Sequence, residues 1–262
     1  MKNLLETILA QKRLEIAALD APALRRAAES APAPRDFLAA VARRQSGLPP
    51  ALIAELKRAS PSKGVLAPRL DLLEVADIYA QNGASAISVL TDEKFFQGSL
   101  QTLRQLRITN HQLPLLRKDF TIHEAQIYEA RANGADAILL IAAALPDDAH
   151  FADLHACALS LGLTALVEIH DKAEAERALR IPGIRLIGIN NRNLATFEVS
   201  LATTERLRPL IPAEIAVVAE SGIFSAADVA RLQKANINAI LVGEALVTAP
   251  DIPAKARELS GL

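Results

Sequence analysis

The sequence predicts an α/β fold, a single (β/α)8 TIM barrel over residues 49–262 behind an N-terminal helical extension over residues 1–48. Three observations carry the prediction. Eight short apolar runs recur with starts roughly two to three dozen residues apart, and a helix-period pattern separates most neighbours. The runs lack the polar alternation of a half-exposed strand, as parallel strands covered on both faces should. Charged and amide side chains gather at the C-terminal ends of the runs, while the N-terminal halves are almost purely apolar. Alternating strand and helix builds a parallel sheet. An open doubly wound sheet would satisfy the first two observations, but eight regular units favour closure.

Taken in order, the N-terminal segment reads as helix, with Pro22, Pro32 and Pro34 separating its pieces and RRQSGLPP (43–50) as the linker into the barrel. The strands follow as ALIAELK (51–57), SAISVLT (85–91), LPLLRKD (113–119), DAILLIA (136–142), TALVEIH (164–170), RLIGIN (185–190), IAVVAES (215–221) and NAILVGE (238–244). Thr121 with Glu124 and Asp171 with Glu174 have capping-box spacing after the third and fifth strands, and Ser225 with Asp228 resembles it after the seventh. Gly83, Gly134 and Gly162 stand between a helix and the next strand, where a left-handed residue is expected. The segment LVGEAL (241–246) closes the eighth strand and opens a short helix.

Half of the chain is hydrophobic, yet aromatic residues are scarce and Trp is absent, so the core is expected to be aliphatic. A formal net charge of −1 with no block of like charge argues against nucleic acid or a membrane surface as partner. No apolar run is long enough to span a bilayer. Glu6, Lys12, Arg13 and Glu15 fall inside the apolar pattern of the first helix, which a secretory signal would not tolerate. Cys157 is the only cysteine and reads as small filler on a helix face; an internal disulfide is excluded and a cytoplasmic location expected. Neither HExxH, CxxC, an EF-hand loop nor GxGxxG occurs, so no metal and no cofactor are expected. His150 and His155 are five apart and do not share a helix face, and His170 reads as a turn residue before the capping Asp171, with catalysis as the competing reading.

In such a barrel the chemistry lies at the C-terminal ends of the strands. Those ends supply Glu55 and Lys57, the loop Thr91–Gly98, Arg117-Lys118-Asp119, Glu168 and His170, Asn190 and Arg192, Glu220-Ser221-Gly222, and Gly243-Glu244. Glu55 and Lys57 are two apart on one strand and therefore point the same way. A ring of structural ion pairs is the plainer reading of this set, but it too requires the charges to converge. Two ammonium groups, Lys57 and Lys118, with two carboxylates, Glu55 and Glu168, suit general acid–base work on an anionic substrate. Burial or a neighbouring cation lowers a lysine's pKa and makes it a donor near neutrality; a Schiff-base lysine is the competing reading. The Gly-bearing turns Ser221-Gly222 and Gly243-Glu244 follow the seventh and eighth strands, a frequent phosphate site, so a small phosphorylated molecule is the expected partner.

These residues carry a family resemblance. IAELKRASPSKG (53–64) resembles the first-strand signature of indole-3-glycerol phosphate synthases, and TDEKFFQGS, LPLLRKDF, LVEIHD, IGINNRNL, AESGI and LVGEAL follow in the same order at the predicted strand ends. The resemblance covers essentially the whole chain, the ILAQKRLEIAAL helix included. The first motif is fairly specific, whereas ESGI and VGEAL alone point only to phosphate-binding barrels. The resemblance implies conversion of 1-(2-carboxyphenylamino)-1-deoxyribulose 5-phosphate to indole-3-glycerol phosphate, with release of carbon dioxide and water and no metal or cofactor. It implies Lys118 as the general acid on the ketose oxygen and Glu168 as a second acid–base group. Lys57 would bind the anionic substrate, with service as a further acid the open alternative, Glu55 and Asn190 would hold hydroxyls and orient the lysines, and Arg192 would steady carboxylates. Ser60 and Phe96 match substrate-contacting loop positions, and Ser221, Gly222, Gly243 and Glu244 the phosphate site.

Two positions depart from common forms of that pattern. Gln97 stands where Asn is frequent, lengthening a side chain expected near the ring pocket. Glu244 stands where some relatives carry Ser or Thr, so only its backbone N–H is expected to face phosphate. The alternatives are another phosphate-binding barrel such as phosphoribosylanthranilate isomerase, which calls for a Cys near the first strand, and a non-catalytic barrel subunit, which would have lost Lys57, Lys118 or Glu168. A monomer is the expected state, and the Ser-Pro-Ser-Lys-Gly loop (60–64) is a candidate lid.

Overall fold

The computed structural model of the chain describes residues 4–42, 48–60, 64–65, 70–109, 112–193 and 198–262. Among them eight parallel strands close into a barrel: β1 (Ala51–Leu56), β2 (Ala84–Leu90), β3 (Leu115–Lys118), β4 (Ala137–Ile141), β5 (Thr164–Ile169), β6 (Leu186–Asn190), β7 (Ala216–Glu220) and β8 (Ala239–Val242). Each strand pairs with the next in sequence, and the ring closes where Ala51 to Ala54 run beside Ala239 to Val242. Every predicted strand is present to within two residues at either end. The runs of Leu, Ile, Val and Ala are buried on both faces, as the missing polar alternation requires.

Two apolar layers result. Ile53, Ala86, Leu116, Leu139, Leu166, Val218 and Leu241 fill the barrel interior. Leu52, Leu56, Val89, Leu140, Val167, Val217 and Ile240 face outward and meet the helices. The core is aliphatic, as composition predicts.

The helices after β1 to β8 begin with α4 (Leu72–Gln81), and after β2 come α5 (Glu93–Phe96) and α6 (Leu100–Ile108). Then follow α7 (Glu124–Ala132), α8 (Asp148–Ser160), α9 (Lys172–Ala178), α10 (Ala202–Leu207), α11 (Ala226–Lys234), α12 (Glu244–Val247) and α13 (Ile252–Ser260). The Ser225–Asp228 capping box is present in full. Asp171 caps α9 by accepting from Glu174 N, while the Glu174 carboxylate reaches His170 N instead of closing the box. The third cap is a correction. His123, not Thr121, caps α7: its Nδ1 accepts from Ala125 N, and Gln126 Oε1 accepts from both Ile122 N and His123 N. An imidazole nitrogen and an amide thus perform the task expected of a hydroxyl and a carboxylate. Gly83, Gly134 and Gly162 are left-handed as expected, with φ of 94°, 90° and 76°.

Helices α1 (Leu4–Ala17), α2 (Ala21–Ser30) and α3 (Phe37–Val41) precede the barrel. Pro22 lies in the first turn of α2, where its missing N–H leaves no bond unmade, behind the capping Asp20. Helix α3 sits at the starts of the strands, where Phe37 and Val41, both fully buried, cap the interior layer. Residues 43–47 of the expected linker lie outside the described residues.

Candidate active site

The C-terminal strand ends enclose a cavity. Glu55, Lys57, Phe96, Lys118, Glu168, Asn190, Arg192, Ser221, Gly222, Gly243 and Glu244 all line it. Of the residues to which the resemblance gives a role, only Ser60 is not placed there; its backbone belongs to a two-residue strand paired with Gly64–Val65, and its side chain lies outside the described residues. So do Pro61 to Lys63, and with them most of the expected lid.

Lys118 is the centre of charge. Its Nζ lies 3.2 Å from Glu168 Oε2 and 3.5 Å from Glu220 Oε2, with both carboxylates buried. Burial would lower its pKa, but Glu168, Glu220 and Glu55 outweigh burial and raise it. This reverses the direction expected from the sequence, because the neighbours that converge are carboxyl groups and not cations. The surrounding carboxyl groups favour the ammonium, a proton donor, over the free amine that a Schiff base needs.

The two carboxylates beside it differ. For Glu168 the burial penalty is overcome by Lys118, by His170 and by a hydrogen bond from Asn190 Nδ2 at 3.1 Å, so its pKa falls. For Glu220 burial dominates; Lys118 opposes it, but Glu168 and Glu55 add to it, and the carboxyl is pushed up to about 8. Near neutrality one carboxylate is thus charged and the other keeps a proton. Environments that drive a pair of titratable groups apart in this way define an acid and a base.

Glycine makes room for this arrangement at two points. A Cβ on Gly188 in β6 would stand 2.2 Å from Glu220 Oε1, and one on Gly243 would stand 2.6 Å from Glu55 Oε1. The carboxylates lie over bare backbone. Glu55 in turn holds Lys57 at 3.4 Å. Asn190 Oδ1 accepts from Arg192 N at 3.0 Å, and the Arg192 guanidinium lies 3.9 Å from the Glu244 carboxylate.

The other walls are apolar. Leu4, Leu5 and Ile8 of α1 cover one side. Phe96 and Phe120 form a tilted pair with centroids 6.0 Å apart. On the β7–β8 side, Ser221 and Gly222 are consecutive left-handed residues, with φ of 68° and 78°, and Gly243 opens α12. Gln97 is exposed and does not line the cavity; its left-handed φ of 51° closes α5.

Two groups that the sequence places at strand ends, but that the resemblance gives no role, belong here. Glu220 stands at a strand end in the sequence, but only the closed barrel shows that β7 brings it to Lys118. His170 is more than a turn residue: its Nε2 lies 3.5 Å from Glu168 Oε1 and its Nδ1 3.2 Å from Glu174 Oε2. Its side of the strand, shared with Glu168 at an interval of two, is the available signal.

A closed parallel barrel whose C-terminal mouth joins a lysine, paired carboxylates, an aromatic wall and two glycine turns defines an acid–base enzyme of the (β/α)8 class. The solved structures similar to it agree on the fold alone. A 3-hexulose-6-phosphate synthase aligns with a TM-score of 0.62 at 19% identity, covering 80% of this chain and 98% of that one. A 3-keto-L-gulonate-6-phosphate decarboxylase from Vibrio cholerae gives 0.62 at 19%, covering 81% and 96%. Sequence comparison is narrower. The family model described as indole-3-glycerol phosphate synthase matches residues 5–259. Proteins of that name from Roseiflexus castenholzii and Polaromonas naphthalenivorans are 52% and 51% identical, over all of this chain and 99% and 100% of their own length. The chain belongs to the indole-3-glycerol phosphate synthase family.

Proposed function

We propose that this chain closes the indole ring of 1-(2-carboxyphenylamino)-1-deoxyribulose 5-phosphate, and that Lys118 supplies the first proton. The observation that carries the assignment is the half-buried Lys118 ammonium, lining the cavity within 3.5 Å of both Glu168 and Glu220. As the ring carbon bearing the carboxylate attacks the ketose carbon, negative charge develops on the ketose oxygen, and the ammonium neutralises it by donating a proton. A carbon–carbon bond forms, and ring aromaticity is lost for the moment. Breaking the bond to the carboxyl group returns its electron pair to the ring and releases carbon dioxide. The new hydroxyl then leaves as water by taking a second proton from Lys118, recharged by Glu220, and ionised Glu168 is placed to take the proton from the substrate carbon as the ring double bond forms. Glu220, protonated near neutrality, is placed to return a proton to Lys118.

The remaining residues hold the substrate. Lys57 binds an anionic group, Glu55 and Asn190 accept and donate to the sugar hydroxyls, and Arg192 steadies a carboxylate. Phe96 stacks near the aniline ring, and Ser60 contacts substrate from the loop after β1. The phosphate sits at the Ser221-Gly222 and Gly243-Glu244 turns, held through backbone N–H groups. The Glu244 side chain reaches Arg192 instead of the phosphate. We take the enzyme to act as a cytoplasmic monomer; among the described residues no helix is long and apolar enough to cross a membrane.

The test is direct because the chain has no Trp, leaving indole fluorescence free of background. Purified protein given the carboxyphenylamino-deoxyribulose phosphate should produce an indole signal, and folded protein that produces none would refute the activity. Lys118→Ala should lower kcat by about three orders of magnitude or more, as loss of a general acid on an oxyanion does, while substrate still binds. Near-normal turnover by that variant would remove Lys118 from the acid role.

A further inference from the structure

Lys12 is the one cation on the buried stripe of α1, where Ile8 and Leu9 are its neighbours and a further aliphatic residue would be ordinary. It is 3% exposed. Its Nζ lies 2.8 Å from Asp92 Oδ2, 2.8 Å from Asp119 Oδ1 and 2.9 Å from Glu15 Oε2. The Glu15 contact is a hydrogen bond, and the two aspartate contacts are close ion pairs. Both aspartates are themselves structural hubs. Asp92 caps α5 by accepting from Phe95 N at 2.7 Å, and so fixes the helix that ends in Phe96. Asp119 accepts from Phe120 N at 2.8 Å, from Thr91 Oγ1 at 2.6 Å and from Arg117 Nη2 at 3.1 Å, directly after Lys118. Arg117 is further paired with Glu129 at 2.8 Å. One buried ammonium therefore stands behind both phenylalanines of the aromatic wall and beside the strand end that carries the acid.

We propose that Lys12 is a positioning residue for the ring closure, fixing Phe96 through Asp92 and fixing Phe120 and Lys118 through Asp119. The proposal rests on the functional reading above only for the reaction affected, not for the placement. Without the ammonium, Asp92 and Asp119 lose the group that ties them together, so the turns they hold are released, and as buried charges the two also repel. The aromatic wall then loses its orientation toward the reacting carbon, and misplacement by about 1 Å is enough to lower turnover on the order of a hundredfold. Lys12 touches no substrate in this scheme, because it is buried behind the wall and does not line the cavity.

The experiment compares Lys12→Met, Lys12→Arg and the double variant Lys12→Met with Asp92→Asn. The double variant removes one of the two buried charges and keeps the cap, since an amide oxygen accepts as well as a carboxylate does. It guards against simple unfolding of the single variant. Two readouts are taken on folded protein: amide exchange over residues 93–98 and 119–122, and kcat and KM by indole fluorescence. The expected results for the double variant are exchange about tenfold faster in those two segments, with kcat lowered and KM raised so that their ratio falls about tenfold or more. Lys12→Arg should stay within about threefold of the parent. A folded double variant with parental exchange and parental kinetics would overturn the proposal. If the parent chain itself lacks turnover, the functional reading fails, and the exchange data alone still decide whether Lys12 holds the two segments.

Discussion

At the scale of the residue, most of the site was legible because it depends on period and position. Glu55 and Lys57 share a strand face by their spacing, and in the structure they are paired and face the cavity. What the sequence concealed was the sign of the field at Lys118. Whether a lysine meets cations or anions depends on three strands, and only closure brings Glu220 of β7 to the same nitrogen as Glu168 of β5. That field has a measurable consequence. An ordinary glutamate titrates near 4.3 in an unfolded chain, whereas Glu220 is pushed up to about 8 in the fold. Between those values the fold holds a proton that the unfolded chain has released, so stability falls as pH rises, by at most about 1.4 kcal/mol per pH unit. Glu168 has the opposite sign: its depressed pKa gives stability that is present above the unfolded value and lost on acidification. His170, raised by Glu174 and Glu168 against burial, adds to the loss on the alkaline side. Glu220→Gln should therefore flatten the decline in urea-unfolding free energy between pH 5 and 8, leaving the His170 contribution. An unchanged slope would mean that another group holds the proton.

At the scale of the element, strand positions were readable to within two residues, while helix ends were less so. Strands announce themselves by continuous burial, but a cap is one hydrogen bond that several residue types can make, as His123 and Gln126 do before α7. Helix α5 shows the same limit from the other side. In the sequence Gln97 reads as a lengthened side chain near the ring pocket; the structure makes it a backbone matter, an exposed residue in the left-handed region that ends a four-residue helix. A side chain in that region is strained by about 1–2 kcal/mol, against roughly 0.5–1 kcal/mol of extra chain entropy lost by glycine. Gln97→Gly should consequently stabilise the protein by about 0.5 kcal/mol in urea unfolding, with Phe96 undisturbed and KM unchanged. Destabilisation, or a raised KM, would show that the Gln97 side chain contributes something its exposure does not suggest.

For the whole molecule, the notable arrangement is that the N-terminal helices reach both ends of the barrel. Helix α1 covers the catalytic mouth with Leu5, Ile8 and Lys12, and α3 closes the opposite end with Phe37 and Val41. The connection between them is tied along the outside. Arg131 donates to the carbonyls of Ala31 and Pro32, and the buried Asp136 accepts from Arg35 N. None of these ties is readable from periodicity, because each joins residues about one hundred positions apart. In barrels of this kind the mouth carries function and the base carries stability. The two ends of the extension should then separate experimentally. Phe37 is fully buried against the interior layer, so Phe37→Ala should lower the unfolding free energy by about 3–5 kcal/mol through lost burial and the cavity left behind. Its kcat and KM, measured well below the unfolding transition, should stay within about twofold of the parent, since nothing at the mouth loses a contact. A change in KM comparable to that expected for Lys12 variants would mean that packing at the base is transmitted through the barrel interior to the site, and that the extension works as one lever instead of two independent closures.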